Sequence, residues 1–305
     1  MSERPMKTAS TQSACSARRA FLFVGGGLGD VARRFYLSDT YDILKDLSEP
    51  TSVICYSHNP SALDFFRFHP NHGNIVLIDI GHIYMALLRD SKTDKKTINE
   101  KLFAMCGFAN ADLIARRREP NPIGFFHAPD AIPNSRGHVV IHPFGRGWGD
   151  WPAETMEAVK LALRLVPESV RVFVICADYI GVDGRIKRES FECGQPNVTV
   201  LRNLSAPAAF SLVASASRFI GTMSCLSQVA SYERIPTIVL HPKRCSDFHS
   251  PPSNYALTIL NSNGLAVPYD GGDPARLERV VTEFLSDPAS ELDVPGQIRP
   301  LLAIG

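Results

Sequence analysis

The stretch FLFVGGGLGDV (21–31) decides how the chain is read. Four apolar residues fit a short strand, three glycines in a row break it, and GDV then opens a helical pattern. Glycines placed directly after a strand let the backbone turn tightly and bring its amides close to a ligand. The helix that follows offers unpaired N–H groups and the positive end of its dipole. A second stretch, HVVIHPFGRGWGDWPAE (138–154), repeats the plan of strand, Gly-rich loop and helix. Two such units imply two α/β halves, each built on a parallel sheet.

The rest of the sequence fits that frame. TSVICYS (51–57) and NIVLIDI (74–80) are continuous apolar runs bounded by turn residues, the pattern of strands buried on both faces. A long helical segment is expected from about 30 to 47, with shorter ones over 61–68, 82–89 and 96–106. REPNPIGFFHAPDAIPNSRG (118–137) carries four prolines and two glycines with no sustained period, so a linker falls there. Beyond it, strands are expected at 138–142, 170–177, 198–201, 218–221 and 236–240, with a short one at 258–260. Helices are expected from Pro152 to about Leu165 and over 207–216, 224–233 and 273–287. The domain plan is a disordered tail over 1–19 and two α/β domains, over 20–130 and 131–305.

Composition narrows the function classes. The chain has 305 residues with 32 Lys+Arg against 31 Asp+Glu, so its net charge is +1. Bulk charge at that level does not favour a nucleic-acid partner, and a bound phosphate must be gripped locally. The seven cysteines are scattered and never form a C-x-x-C pair, which fits a reducing compartment and gives no zinc spacing. Cys55 and Cys176 sit inside strand-like runs, as small buried hydrophobes. No apolar stretch approaches the roughly 18–20 residues of a membrane-spanning helix. The expected location is the cytoplasm, or peripheral to the inner membrane.

Three loops can carry chemistry. In the first, Gly27 and Gly29 flank the turn and Asp30 stands where a dinucleotide fingerprint would need glycine. A carboxylate there repels phosphate, so Asp30 is either a helix cap or a base facing a neutral hydroxyl. In the second, Gly145 and Gly147 flank Arg146, whose guanidinium fork suits phosphate oxygens. The alternative is an exposed loop with Arg146 paired to Asp150. Trp148 and Trp151 lie in the same loop and either pack the linker or shelve a base or sugar. In the third, a strand ends at Gly221 and Thr222, Ser224 and Ser227 follow before a helix, with Gln228 in its first turn. These hydroxyls and free amides suit phosphate or ribose oxygens, or they are plain helix caps. His58, His69 and His72 read as surface histidines, and Arg116–Arg118 as cations at a helix end.

Together the three loops resemble glycosyltransferase family 9, the heptosyltransferases that build lipopolysaccharide core. GGLGDV (26–31) matches the family's opening Gly-turn and G-D-[VI]. HVVIHPFGRGWGDWPAE (138–154) follows its second strand, loop and W-P pair, with Asp150 where Lys or Arg is usual. MSCLSQVA (223–230) occupies the third element, with Met223, Cys225 and Gln228 in place of the family's Asp, Gly and His, and Pro236 opens the next strand. The resemblance implies a GT-B fold, two Rossmann-like α/β domains facing across a cleft. It also implies a metal-independent inverting transferase without a cofactor. A nucleotide-diphosphate sugar is the implied donor, held by Gly27, Gly29, Gly145, Arg146, Thr222, Ser224, Ser227 and Gln228. Asp30 is the implied base, acting on a hydroxyl of a glycan or glycolipid acceptor. The alternatives are a sugar-nucleotide epimerase or hydrolase on the same fold, a transferase acting on modified DNA bases, and a non-catalytic nucleotide- or glycan-binding module.

Overall fold

The computed structural model describes residues 20–24, 28–56, 63–67, 69–90, 137–145, 153–180, 186–222, 224–242, 264–269 and 273–286. In the N-terminal half, β1 (Ala20–Val24), β2 (Thr51–Tyr56) and β3 (Ile75–Asp79) form a parallel sheet in the order β1-β2-β3. Helices α1 (Leu28–Tyr36), α2 (Thr40–Lys45), α3 (Asp64–Arg67) and α4 (Gly81–Asp90) accompany it.

Two expectations for this half need correction. The single helix expected over 30–47 is two helices, because Ser38 intervenes: its hydroxyl donates to the Arg34 carbonyl at 2.6 Å and lies 2.7 Å from Thr40 Oγ1. A serine that bonds backward to the preceding turn offers the chain an alternative to continuing the helix. The run at 74–80 is not buried on both faces either. Among the described residues β3 is an edge strand, with Val76 41% and Ile78 42% exposed.

The C-terminal half holds a six-stranded sheet. Its strands are β4 (Val139–His142), β5 (Val172–Cys176), β8 (Val198–Arg202), β9 (Arg218–Thr222), β10 (Thr237–Pro242) and β11 (Gly264–Tyr269). All neighbours pair in parallel, in the order β11-β10-β9-β4-β5-β8. Counted from the first strand of the half, this is the doubly wound order 6-5-4-1-2-3. A small antiparallel hairpin, β6 (Asp178–Ile180) and β7 (Ile186–Arg188), follows β5. Side-chain alternation divides the core between the two faces. Val139, Ile141, Val172, Val174, Ile220, Ile238 and Leu240 pack under α5 (Ala153–Leu165) and α8 (Pro274–Ser286). Val140, Phe173, Ile175 and Phe219 face the other way, toward α6 (Ala206–Ala214) and α7 (Cys225–Tyr232).

That second cluster is shared between the halves. Val31, Ala32, Phe35 and Tyr36 of α1 and Phe65 and Phe66 of α3 belong to the same apolar body as Phe210, Leu226, Val229 and Tyr232. Phe65 lies 5.0 Å from Phe210 between ring centroids, and Tyr36 stacks on Tyr232 at 4.9 Å. The buried Tyr36 hydroxyl donates to Glu233 Oε1 at 2.7 Å. Burial, and then the Glu233 charge, hold that phenol well above its ordinary pKa, so it remains a donor.

The strand expected at 258–260, the helix expected at 96–106, the linker at 118–136 and the 1–19 tail lie outside the described residues. The described closing strand is β11. Its sequence GLAVPY carries Pro268, which is tolerated because, among the described residues, β11 pairs on one side only, with β10.

Candidate functional site

In a doubly wound sheet, ligands bind outside the carboxyl ends of the strands, where the direction of winding reverses. Here the reversal falls between β4 and β9, the first and fourth strands of the C-terminal half. Their ends are in register, His142 opposite Gly221. The approach is close: a Cβ on Gly221 would lie 2.6 Å from the His142 carbonyl oxygen, with the Phe219 ring 3.0 Å away. Only glycine fits, and its presence brings the loop after β4 beside the turn from β9 into α7.

Ser224 caps α7. Its Oγ accepts from the Ser227 N–H at 3.3 Å. Ser227 Oγ accepts from the Ser224 N–H at 3.0 Å and donates to the Ser224 carbonyl at 2.8 Å. Serine thus plays the reciprocal part usually given to Glu or Gln three residues into the helix. Ser224 Oγ also lies 3.0 Å from His142 Nδ1, so one hydrogen bond ties the end of β4 to the start of α7 across the reversal. His142 and Ser224 are both more than nine-tenths buried. A hydroxyl can rotate to donate to a neutral imidazole or to accept from a charged one, so this bond survives either state of the ring.

Two other side chains at this junction are differently placed. Thr222, the last residue of β9, is fully buried and its Oγ1 has no hydrogen-bond partner among the described residues. Gln228, in the first turn and a half of α7, is 2% exposed and its Oε1 has none. Its backbone N–H donates to the Ser224 carbonyl at 3.3 Å, so the orphan is the side chain alone. A buried polar atom without a partner costs about 1–3 kcal/mol.

The structure therefore sorts the residues expected to bind donor. Thr222, Ser224, Ser227 and Gln228 lie at the end of β9 and the start of α7, beside the reversal, and Gly145 is buried three residues beyond the end of β4. Ser224 and Ser227 serve the cap, one of the two roles open to them from the sequence. Gly29 and Asp30 fall in the first turn of α1. Gly27 and Arg146 lie outside the described residues, as do Met223, Trp148, Trp151 and Arg116–Arg118. His142 was not singled out from the sequence. Its signal was available: a histidine closing an apolar strand immediately before a Gly-rich loop.

Other candidate side chains prove structural. His69, read as a surface residue, is fully buried. Its Nδ1 accepts from the Asn71 N–H at 3.1 Å, which leaves Nε2–H to donate to the Tyr41 carbonyl at 3.1 Å. Burial holds its pKa below the ordinary value. Cys55 and Cys176 are buried as expected, and burial pushes their thiols up to about 12 and about 11. No group of three or more His, Cys, Asp or Glu side chains able to hold a metal occurs among the described residues.

No family model and no curated protein matches the chain. Solved structures do. The E. coli heptosyltransferase WaaC, seen with ADP-2-deoxy-2-fluoro heptose, aligns over 87% of this chain and 98% of its own at 11% identity and a TM-score of 0.50. Arabidopsis thaliana UGT89C1, complexed with UDP-L-rhamnose, aligns over 92% of both chains at 12% identity and a TM-score of 0.50. The fold is GT-B. The chain also matches the iron-containing dodecameric glycosyltransferase TibC from enterotoxigenic E. coli, at 16% identity and a TM-score of 0.41, over 74% of this chain. It spans 59% of TibC's length. The GT-B architecture expected from the three loops thus holds. Among the described residues no helix is long and apolar enough to cross a membrane.

Proposed function

We propose that the chain is an inverting glycosyltransferase that moves a sugar from a nucleotide-diphosphate donor to a hydroxyl of a glycan or glycolipid. One observation carries this reading. At the winding reversal of a GT-B C-terminal sheet, the His142–Ser224 bond fixes the start of α7 beside two buried, unpartnered polar groups, Thr222 and Gln228. The amino end of α7 supplies a positive dipole end for the diphosphate. Arg146, four residues past the end of β4, adds a cation with a bidentate fork. Asp30, in the first turn of α1, takes the proton of the acceptor hydroxyl as its oxygen attacks the anomeric carbon. The carbon–oxygen bond to the diphosphate breaks, and the departing charge settles on the helix end and Arg146. These groups need no metal to do so. A positioned base contributes typically 10²–10⁴-fold. The neutral chain and scattered cysteines suit a cytoplasmic enzyme, peripheral to the membrane when its acceptor is a lipid.

The test is a thermal-shift panel with ADP-, GDP-, UDP-, CMP- and dTDP-sugars without added metal. A donor at 100 times its Kd stabilises the fold by about 2.7 kcal/mol. Arg146→Ala removes that shift. Asp30→Asn keeps the shift and loses transfer to acceptor. A panel in which no nucleotide sugar moves the melting temperature refutes the reading.

A further inference from the structure

We infer that Tyr36 and Glu233 are positioning residues: their bond sets the register of α1 against α7, and with it the place of the turn that carries Asp30. The inference rests on the transferase reading above and says what holds that turn in place across the two halves. α1 packs directly on α7, and the two helices meet at their last residues, where the Tyr36 and Tyr232 rings stack at 4.9 Å. Helices that lie side by side and meet at their last residues run the same way. Val31 and Ala32 near the start of α1 share one apolar body with Leu226 and Val229 near the start of α7. The amino ends therefore lie on one side of the seam, the first with Asp30 in its opening turn and the second capped by Ser224.

Apolar packing alone does not pin such a pair. The hydrophobic effect is non-directional, so two apolar faces tolerate a small tilt, whereas a hydrogen bond weakens steeply when bent. The Tyr36 hydroxyl donates to Glu233 Oε1 at 2.7 Å, across the seam. Glu233 is itself held. It ends α7, with its N–H donating to the Val229 carbonyl at 2.9 Å. The chain then closes in a Schellman motif: the Ile235 N–H donates to the Ala230 carbonyl at 2.8 Å, and the Arg234 N–H to the Ser231 carbonyl at 3.1 Å. Arg234 takes the left-handed place, φ 61°, that glycine usually fills. The backbone under the carboxylate is thus fixed at both sides, and the bond to Tyr36 transmits that fixity to α1.

The lever is short. Asp30 stands six residues before Tyr36, about 9 Å along the helix, so a tilt of about 6° at the Tyr36 end moves its turn by about 1 Å. A displacement of that size, caused far from the reacting atoms, can cost about 10²-fold in rate. α1 has nine residues, too few to be stable alone, so its place depends on what it packs against.

The experiment uses the full chain with Tyr36→Phe, Glu233→Ala, Glu233→Gln and, in the separate core under α5 and α8, Val281→Ala. Turnover is read as nucleoside diphosphate released from UDP-glucose, ADP-glucose or GDP-mannose, with nitrophenyl glycosides supplying the acceptor hydroxyl. Hydrogen exchange of the α1 and α5 amides is followed in the same proteins without ligand. Tyr36→Phe and Glu233→Ala each lower kcat at least about tenfold, well below their melting temperatures, and leave the donor KM within about twofold. Their α1 amides exchange faster and their α5 amides do not. Glu233→Gln keeps an oxygen for the phenol to donate to, and retains kcat within about threefold. Val281→Ala lowers the melting temperature and leaves kcat unchanged. Tyr36→Phe that melts lower but keeps the wild-type kcat overturns the inference, because the pair is then a brace and nothing more. A kcat loss shared by Val281→Ala overturns it as well, as does a donor KM that rises in step with the loss. If the wild type neither binds nor consumes any of the three donors, it is the nucleotide-sugar reading that fails; unchanged α1 exchange in Tyr36→Phe then still overturns the claim that this bond fixes α1.

Discussion

Replacing Gly221 with alanine tests whether the close approach of β4 and β9 builds the site. The added Cβ would stand 2.6 Å from the His142 carbonyl oxygen, about 0.8 Å inside an ordinary contact. The obstructing atom is backbone, at the end of β4 and in register with Gly221 itself, so it cannot swing aside as a side-chain tip would. The neighbouring contacts at 3.0 Å are with the Phe219 ring, itself fully buried. Relief must come from parting the two strands at their carboxyl ends. Overpacking of this kind costs about 1–3 kcal/mol, which lowers the melting temperature of a chain this size by roughly 2–5 °C. The same movement separates His142 from Ser224, so donor affinity falls together with stability. Gly73→Ala is the matched control, since a Cβ there meets nothing within 4 Å. Calorimetric melting and donor titration of both variants decide the matter. A Gly221→Ala protein that melts within about 1 °C of wild type and binds donor normally would refute the reasoning.

Three further outcomes are expected. Tyr36→Phe removes the hydroxyl that donates to Glu233 and lowers stability by about 1.5–3 kcal/mol, read from the urea midpoint. His69 is bound as a neutral ring whose pKa is depressed by burial, so the unfolded chain takes up a proton more readily than the folded one. Its contribution is complete above the unfolded pKa, near 6.5, and is lost as the pH falls below it; urea midpoints at pH 8 and pH 5.5 should therefore converge in His69→Gln relative to wild type. Cys55 and Cys176, with thiols raised to about 12 and about 11, stay unmodified by iodoacetamide at pH 8 in the native protein and react once it is unfolded.

Much of this was legible in the sequence for a physical reason. Strands of a parallel sheet covered on both faces must be apolar along their whole length, and VVIH at β4 and VFVIC at β5 state that directly. Elements decided by a single side chain were harder to see. The break between α1 and α2 rests on one serine hydroxyl, and β11, an edge strand among the described residues, admits a proline that a central strand would reject. The hairpin DYI and IKR has no apolar alternation to announce it. His69 lies among Pro and Asn, as an exposed residue would, yet its ring closes the back of Tyr41, 4.7 Å away. At the candidate site, the sequence singled out the hydroxyl residues around α7. It could not tell the hydroxyls taken up by a cap from those left open, because that depends on which partners reach them in three dimensions.

The apolar face that α1 lays against α7 bears on how this molecule can be rearranged. Exchanging one half for that of a relative is a natural route to new acceptor specificity, and here the seam is not neutral ground. A C-terminal half produced alone would present Leu226, Val229 and Tyr232 to water, and self-association would be its first property. A transplanted N-terminal half must arrive with side chains of matching volume at the positions of Val31, Ala32, Phe35 and Tyr36, and with a hydroxyl for Glu233. The properties of one half and the integrity of the other are in this way inherited together.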